Sequence, residues 1–131
     1  MADVIVVFPN KDNAINIRNI LTRGGCEVIG VCTTGAQALH YTELLDEGIV
    51  VCGYKLADML YTELREYLPK EFEMLLVASP EKWQGDNMEG VVGLNMPIKV
   101  YDLLNTMNMM LQAMDRRRRK RKKERPQRDP K

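Results

Sequence analysis

The sequence predicts an α/β fold, a parallel sheet covered by helices on both faces. Short apolar runs rich in β-branched residues alternate with stretches of helical period through the first 115 residues or so. The runs are unbroken, as in strands buried on both faces, and do not alternate polar with apolar. Gly and Pro punctuate the joins.

The order along the chain is regular. DVIVVF at 3–8 reads as a buried first strand, broken by Pro9-Asn10. Residues 11–23 turn helical, with Ile17, Ile20 and Leu21 on one face and Asp12 as the expected N-cap; Gly24-Gly25 stops the helix. CEVIGVC at 26–32 is the second strand. Thr33 or Thr34 caps a helix from Ala36 to about Glu47, with Ala38, Tyr41, Leu44 and Leu45 inward. IVVC at 49–52 is the third strand, and a short helix near Met59–Leu68 is closed by Pro69. EMLLVA at 73–78 is the fourth strand. The polar, Gly-containing stretch 80–90 is a poor helix, VVGL at 91–94 is the fifth strand, and Pro97 leads into a long helix from about Lys99. Five such units imply a doubly wound five-stranded parallel sheet of the flavodoxin-like kind, a three-layer sandwich with an extended C-terminal helix. The division expected is 1–114 for the domain and 115–131 for a basic helical extension or linker.

The formal net charge of +1 hides a cancellation. Residues 1–115 hold 8 Lys+Arg against 16 Asp+Glu, net −8; residues 116–131 hold 11 against 2, net +9. A basic segment on an acidic body has anionic partners or folds back on that body. The three cysteines, Cys26, Cys32 and Cys52, are odd in number and show no CxxC spacing. They read as small buried hydrophobes in a reducing, cytoplasmic setting. A single histidine, His40, placed on the polar side of a helix, leaves nothing for a His/Cys metal cage. No run reaches the roughly 18–20 apolar residues of a membrane span, and no basic-then-apolar leader opens the chain. Neither GxGxxG nor a Walker motif is present. No metal, cofactor, membrane or small-molecule substrate is expected.

In a doubly wound sheet the functional crevice lies beyond the carboxyl ends of the strands. The residues there are Phe8-Pro9-Asn10, Gly53-Tyr54-Lys55, Ala78-Ser79-Pro80 and Asn95-Met96-Pro97. No base–nucleophile pair stands among them, which argues against an enzyme.

Three strings carry a family likeness: TTGAQAL opening the second helix, the third-strand segment VVCGYKLADM, and GLNMPIKVYDLL entering the last helix. Taken in their order along the chain they resemble a response-regulator receiver domain, over residues 1 to about 114. The resemblance implies a phosphorelay module whose chemical positions are vacant. The phosphoacceptor position falls on Gly53, and the acidic Mg²⁺-binding pair on Phe8 and Pro9. The switching Ser/Thr falls on Ala78, one residue before Ser79, and the lysine on Met96. Mg²⁺ wants hard oxygen ligands, and neither Phe8 nor Pro9 offers a carboxylate. Asp58, five residues past Gly53, reads as a solvated or capping residue.

In the last helix Val100, Leu104, Met107, Leu111 and Met114 are spaced 4, 3, 4, 3, widened by Leu103 and Met110. That stripe packs on the sheet, and its distal half (Met107, Met110, Leu111 and Met114) is the expected homodimer contact. Trp83 either covers the sheet edge or anchors a partner. The run Arg116, Arg117, Arg118, Arg119, Lys120, Arg121, Lys122, Lys123 and Arg125 has no apolar stripe and no aromatic to stack a base. It is a charged linker or a nucleic-acid contact, helical up to about Glu124-Arg125, with Pro126 and Pro130 favouring extended chain beyond. A receiver-like domain followed by such a segment resembles the ANTAR class of transcription antitermination regulators, in which a coiled coil leads to an RNA-binding domain. The chain stops at Lys131, about where that domain is expected to begin, so the likeness covers receiver and linker only. The function expected is a non-enzymatic regulatory pseudo-receiver acting through dimerisation and RNA. The alternative is a phosphorylation-independent DNA-associated or protein-docking regulator with a solubilising basic tail.

Overall fold

The computed structural model describes residues 3–83 and 88–124, with side chains described as far as 120. The elements run β1 (Asp3–Val7), α1 (Lys11–Arg23), β2 (Val28–Cys32), α2 (Gly35–Thr42), β3 (Gly48–Gly53), α3 (Tyr61–Tyr67), β4 (Phe72–Ala78), β5 (Val91–Asn95) and α4 (Val100–Glu124). All strand pairs are parallel, in the order β2-β1-β3-β4-β5. The expected flavodoxin-like sandwich is therefore what forms.

The unbroken apolar strands split by parity. Val4, Val6, Ile49, Val51, Leu75 and Val77 face α1 and α4. Ile5, Val7, Val50, Cys52, Met74 and Leu76 face α2 and α3. A side-chain period of 2 makes each central strand apolar on both sides at once.

Local chemistry sets the helix ends. The α1 cap is Asn10, whose Oδ1 accepts from the Asn13 N–H at 3.1 Å. Asp12, the expected cap, sits in the first turn instead, where its charge favours the positive helix end. Thr34 caps α2 and forms a capping box with Gln37. The same turn receives a second anchor from far along the chain. Asp58 accepts from the Gly35 N–H at 2.7 Å and from the Ala36 N–H at 3.1 Å. It thereby satisfies two of the backbone donors a helix start leaves open. Asp58→Ala is expected to lower stability by about 1 kcal/mol in urea unfolding, and Asp58→Asn by less, because an amide oxygen still accepts.

Helix α2 ends at Thr42 rather than near Glu47, and Leu44, expected inward, is 70% exposed. Backbone N–H groups of Leu44 and Leu45 reach back only three residues, to Tyr41 and Thr42, which turns the chain early toward β3. Residues 79–83 and 88–90 contain no helix, and 84–87 lie outside the described residues. Trp83 does the covering there, as one of the two expected readings had it. Its indole lies on Gly93 of β5, where any Cβ would collide with the ring.

The α4 stripe is corrected by one helical position. The line that enters the core is Leu103, Met107, Met110 and Met114, all buried against α1 and the sheet. Leu104 and Leu111 pack at its margin, and Val100 is exposed. Of the residues expected at a dimer contact, Met107, Met110 and Met114 thus pack within the protomer, and Leu111 is half-buried beside them. A 4, 3, 4 spacing serves a sheet-covering face as well as a coiled-coil seam, and the sheet takes it first. The helix passes without a break through residues 114 and 115, so no element boundary falls at the expected domain edge.

Candidate functional site

A cleft of ≈ 540 Å³ opens beyond the carboxyl ends of β1, β3, β4 and β5. Its wall includes Phe8, Pro9, Gly53, Ala78 and Met96, so the structure brings all five predicted pocket residues together. The sheet register explains the meeting: Gly53 pairs with Val77 on β4, and Ala78 pairs with Asn95 on β5, just before Met96.

The floor is apolar. Phe8 is 6% exposed and leans over Gly53, where an added Cβ would stand 3.1 Å from its Cδ1. Val77, Ile17, Pro97 and Ile98 complete the greasy part. The rim is polar and basic: Asn13 and Asn16 from α1, Tyr54 and Lys55 after β3, Ser79 and Lys82 after β4. None of the lining residues is a carboxylate.

Both lysines stand on ordered loops. The Ser79 carbonyl accepts from the Lys82 N–H at 3.0 Å and the Trp83 N–H at 3.1 Å, which makes a turn out of 79–83. Lys55 bridges to Leu60, and the Tyr54 carbonyl accepts from the Tyr61 N–H at 3.0 Å. The rings of Tyr54 and Tyr61 lie 5.4 Å apart at 47°. Among the described residues neither ammonium has a carboxylate within 4.0 Å.

The Mg²⁺ site that the receiver likeness implies does not fit these residues. Phe8 and Pro9 carry no side-chain ligand atom, Gly53 has no side chain, and the lining residues bring ammonium groups where a cation would sit. Asp58 is held on the first turn of α2, and Asp12 does not line the cleft. Among the described residues no group of three or more His, Cys, Asp or Glu is placed to hold a metal. The thiols do not enter the site either. Cys32 and Cys52 belong to the cluster on the opposite sheet face, and burial pushes their pKa values up to about 11 and about 12, so both stay neutral at pH 7. Cys26 is raised as well, also by burial.

The basic segment divides. Arg117 pairs with Glu73 of β4 at 2.9 Å and Arg118 with Glu47 at 3.0 Å, so the segment's start folds back on the acidic body. Arg119 pairs with Asp115 of its own helix at 2.6 Å. Arg116 and Lys120 are exposed. Partly exposed ion pairs contribute about 0.2–1 kcal/mol each, so the buried methionines and Leu103 hold α4 in place and the arginines only trim its position. Arg121, Lys122 and Lys123 are helical in backbone, and Arg125 lies outside the described residues. Exposed His40 stands 3.9 Å from Glu43, on the polar side as expected. Among the described residues no helix is long and apolar enough to cross a membrane.

Asn13, Asn16 and Lys82 escaped the sequence reading. The two asparagines are spaced i, i+3 on the first helix, which puts them on one face above the end of β1. Lys82 has no such signal, because only the turn at Ser79 carries it to the rim.

No protein-family model matches the sequence, and no curated protein matches it. Solved structures do match its shape. An uncharacterized protein from Neptuniibacter caesariensis aligns with a TM-score of 0.80 at 18% identity, over 97% of this chain and 97% of that one. A CheY-like response regulator receiver domain protein from Methanospirillum hungatei JF-1 aligns with a TM-score of 0.71 at 19% identity, over 89% and 98%. The chemotaxis response regulator CheY4 of Vibrio cholerae aligns with a TM-score of 0.67 at 23% identity, over 83% and 98%. The fold of this chain is therefore that of CheY-like receiver domains, with the strand-end cleft where the sequence placed it and no acidic residue among the described residues that line it.

Proposed function

We propose that this protein is a pseudo-receiver: a non-enzymatic regulatory domain of the two-component kind that accepts no phosphoryl group at the end of β3. Its output runs through α4 into the basic segment, which contacts RNA in transcription antitermination. The observation that carries the first part is Gly53 at the tip of β3, walled by Phe8 and Pro9 where a nucleophile and metal ligands are needed together. The second part is supported by α4 itself. It is one continuous helix of 25 residues, about 37 Å long at 1.5 Å per residue, and it joins the core to the positive run.

The test is incubation of the full chain with acetyl phosphate and Mg²⁺, followed by intact-mass measurement. The expected result is an unchanged mass; a stoichiometric, hydroxylamine-labile phosphoryl adduct would overturn the first part. For the second part, binding to a hairpin RNA is titrated across a salt series. Six to eight phosphate contacts to a single strand give a slope of log K against log salt of about −4 to −6. Removing residues 116–131 is expected to abolish the binding, and RNA affinity that survives the deletion excludes the segment as the contact.

A further inference from the structure

The strand-end cleft is a formed pocket with a lining of its own. A receiver-shaped pocket built to hold a metal needs carboxylates in its wall; this one presents an apolar floor under a rim of ammonium and amide donors. Its volume of ≈ 540 Å³ falls within the range of about 300–1,000 Å³ typical of small-molecule sites, and it lies at the position where doubly wound sheets bind ligands. We propose that the cleft binds an amphipathic organic anion: a carboxylate, sulfonate or phosphate ester carried on an apolar body, held as a regulatory ligand and not turned over.

Each part of the site selects one part of that ligand. Phe8, Val77 and Met96 give a surface that gains from covering hydrocarbon or an aromatic ring. Lys55 and Lys82 line the same cleft from two different loops. An anion seated in the cleft therefore meets positive charge brought by two separate loops. Asn13 and Asn16 add amide groups on the α1 side of the same cleft. A bare inorganic anion leaves the floor unused, and a neutral apolar molecule leaves the ammonium groups unused.

The inference rests on the cleft and not on the basic segment, so it is independent of RNA binding. It is read by ligand binding, and the phosphoryl test by mass, so the two fail separately. The probes are 8-anilinonaphthalene-1-sulfonate, its uncharged counterpart N-phenyl-1-naphthylamine, and inorganic phosphate, each titrated into the full chain by calorimetry. The sulfonate is expected to saturate at one equivalent. The neutral compound should bind several-fold more weakly, and phosphate alone weakest of the three.

A double variant, Lys55→Gln with Lys82→Gln, changes only exposed side chains. It is expected to weaken the sulfonate about tenfold, the effect of losing two solvent-facing charge contacts, and to leave the neutral compound unchanged. Asn16→Phe introduces a ring into the cleft from an exposed helix position and is expected to weaken both aromatic probes at least tenfold. Equal affinity for charged and neutral probes, or indifference to the lysine variant, overturns the anion. Phosphate binding as tight as the sulfonate's overturns the apolar body. Sulfonate binding that is absent, or untouched by Asn16→Phe, overturns the site.

Discussion

Met107→Asp is expected to unfold the domain. Met107 is 0% exposed and lies between α1 and the sheet with Leu103, Met110 and Met114. The change removes about 2–3 kcal/mol of apolar burial and places an uncompensated carboxylate in the core at a cost of several more. Domains of this size are stable by about 5–15 kcal/mol, so the sum approaches the whole. Met109→Asp, two residues on, is the matched control. Met109 is 61% exposed, and its replacement is expected to shift stability by no more than about 0.5 kcal/mol. Far-UV circular dichroism and urea unfolding of the two variants decide it. A Met107→Asp protein that keeps its native spectrum and melting cooperativity and only changes its sedimentation would return the stripe to an interface role.

Arg65→Ala is expected to cost about 2–3 kcal/mol, the worth of a charge-assisted hydrogen bond plus carbonyls left without a donor. From α3, the guanidinium donates through Nη1 to the Phe72 carbonyl at 2.6 Å and the Gly90 carbonyl at 3.2 Å, and through Nη2 to the Pro69 carbonyl at 3.1 Å. It ties the turn before β4, the start of β4 and the turn before β5 into one unit. Burial pulls its pKa below the usual arginine value, and the carboxylate of Glu73 offsets only part of that lowering. Arg65→Lys is expected to recover only part of the loss, because a single ammonium cannot fork across three carbonyls. Urea midpoints at an unchanged slope check both variants. A neutral Arg65→Ala would show that water replaces the clamp.

Arg65 also marks where sequence reading stops. Nothing in YTELREY distinguishes Arg65 from a solvated helix residue, since its three acceptors lie four, seven and twenty-five residues away. Asp58 was readable as a capping residue, but not that it caps a helix beginning twenty-three residues earlier. The cap of α1 turns on a choice between Asn10 and Asp12 that backbone dihedrals settle: Asn10 is extended, with φ −94° and ψ 117°, as an N-cap must be. Strands were the legible part. Five apolar runs appear within a residue or two of where the pattern puts them, and in β1, β3 and β4 the reason is burial on both faces, which leaves so direct a mark on composition.

The candidate site was legible in one direction. Strand ends offer twelve residues, among which the receiver resemblance singles out Phe8, Pro9, Gly53, Ala78 and Met96, and strand ends in a parallel sheet necessarily share one edge. That logic finds what lies directly after a strand. It misses Asn13, Asn16 and Lys82, which reach the cleft through a helix and a turn, and with them half of the donor groups on its rim.

Periodicity and composition sufficed for the layer order, the strand-end crevice and the lack of carboxylates directly after its strands, since each depends on residue type and chain order alone. The three-dimensional packing decided which line of α4 is buried, what Arg117 and Arg118 touch, and that Lys55 and Lys82 line one cleft. Those outcomes depend on which surfaces compete for the same side chain. A helix stripe of 4, 3, 4 spacing suits a sheet or a second helix equally well, and the sheet, covalently tethered at high effective concentration, claims it first.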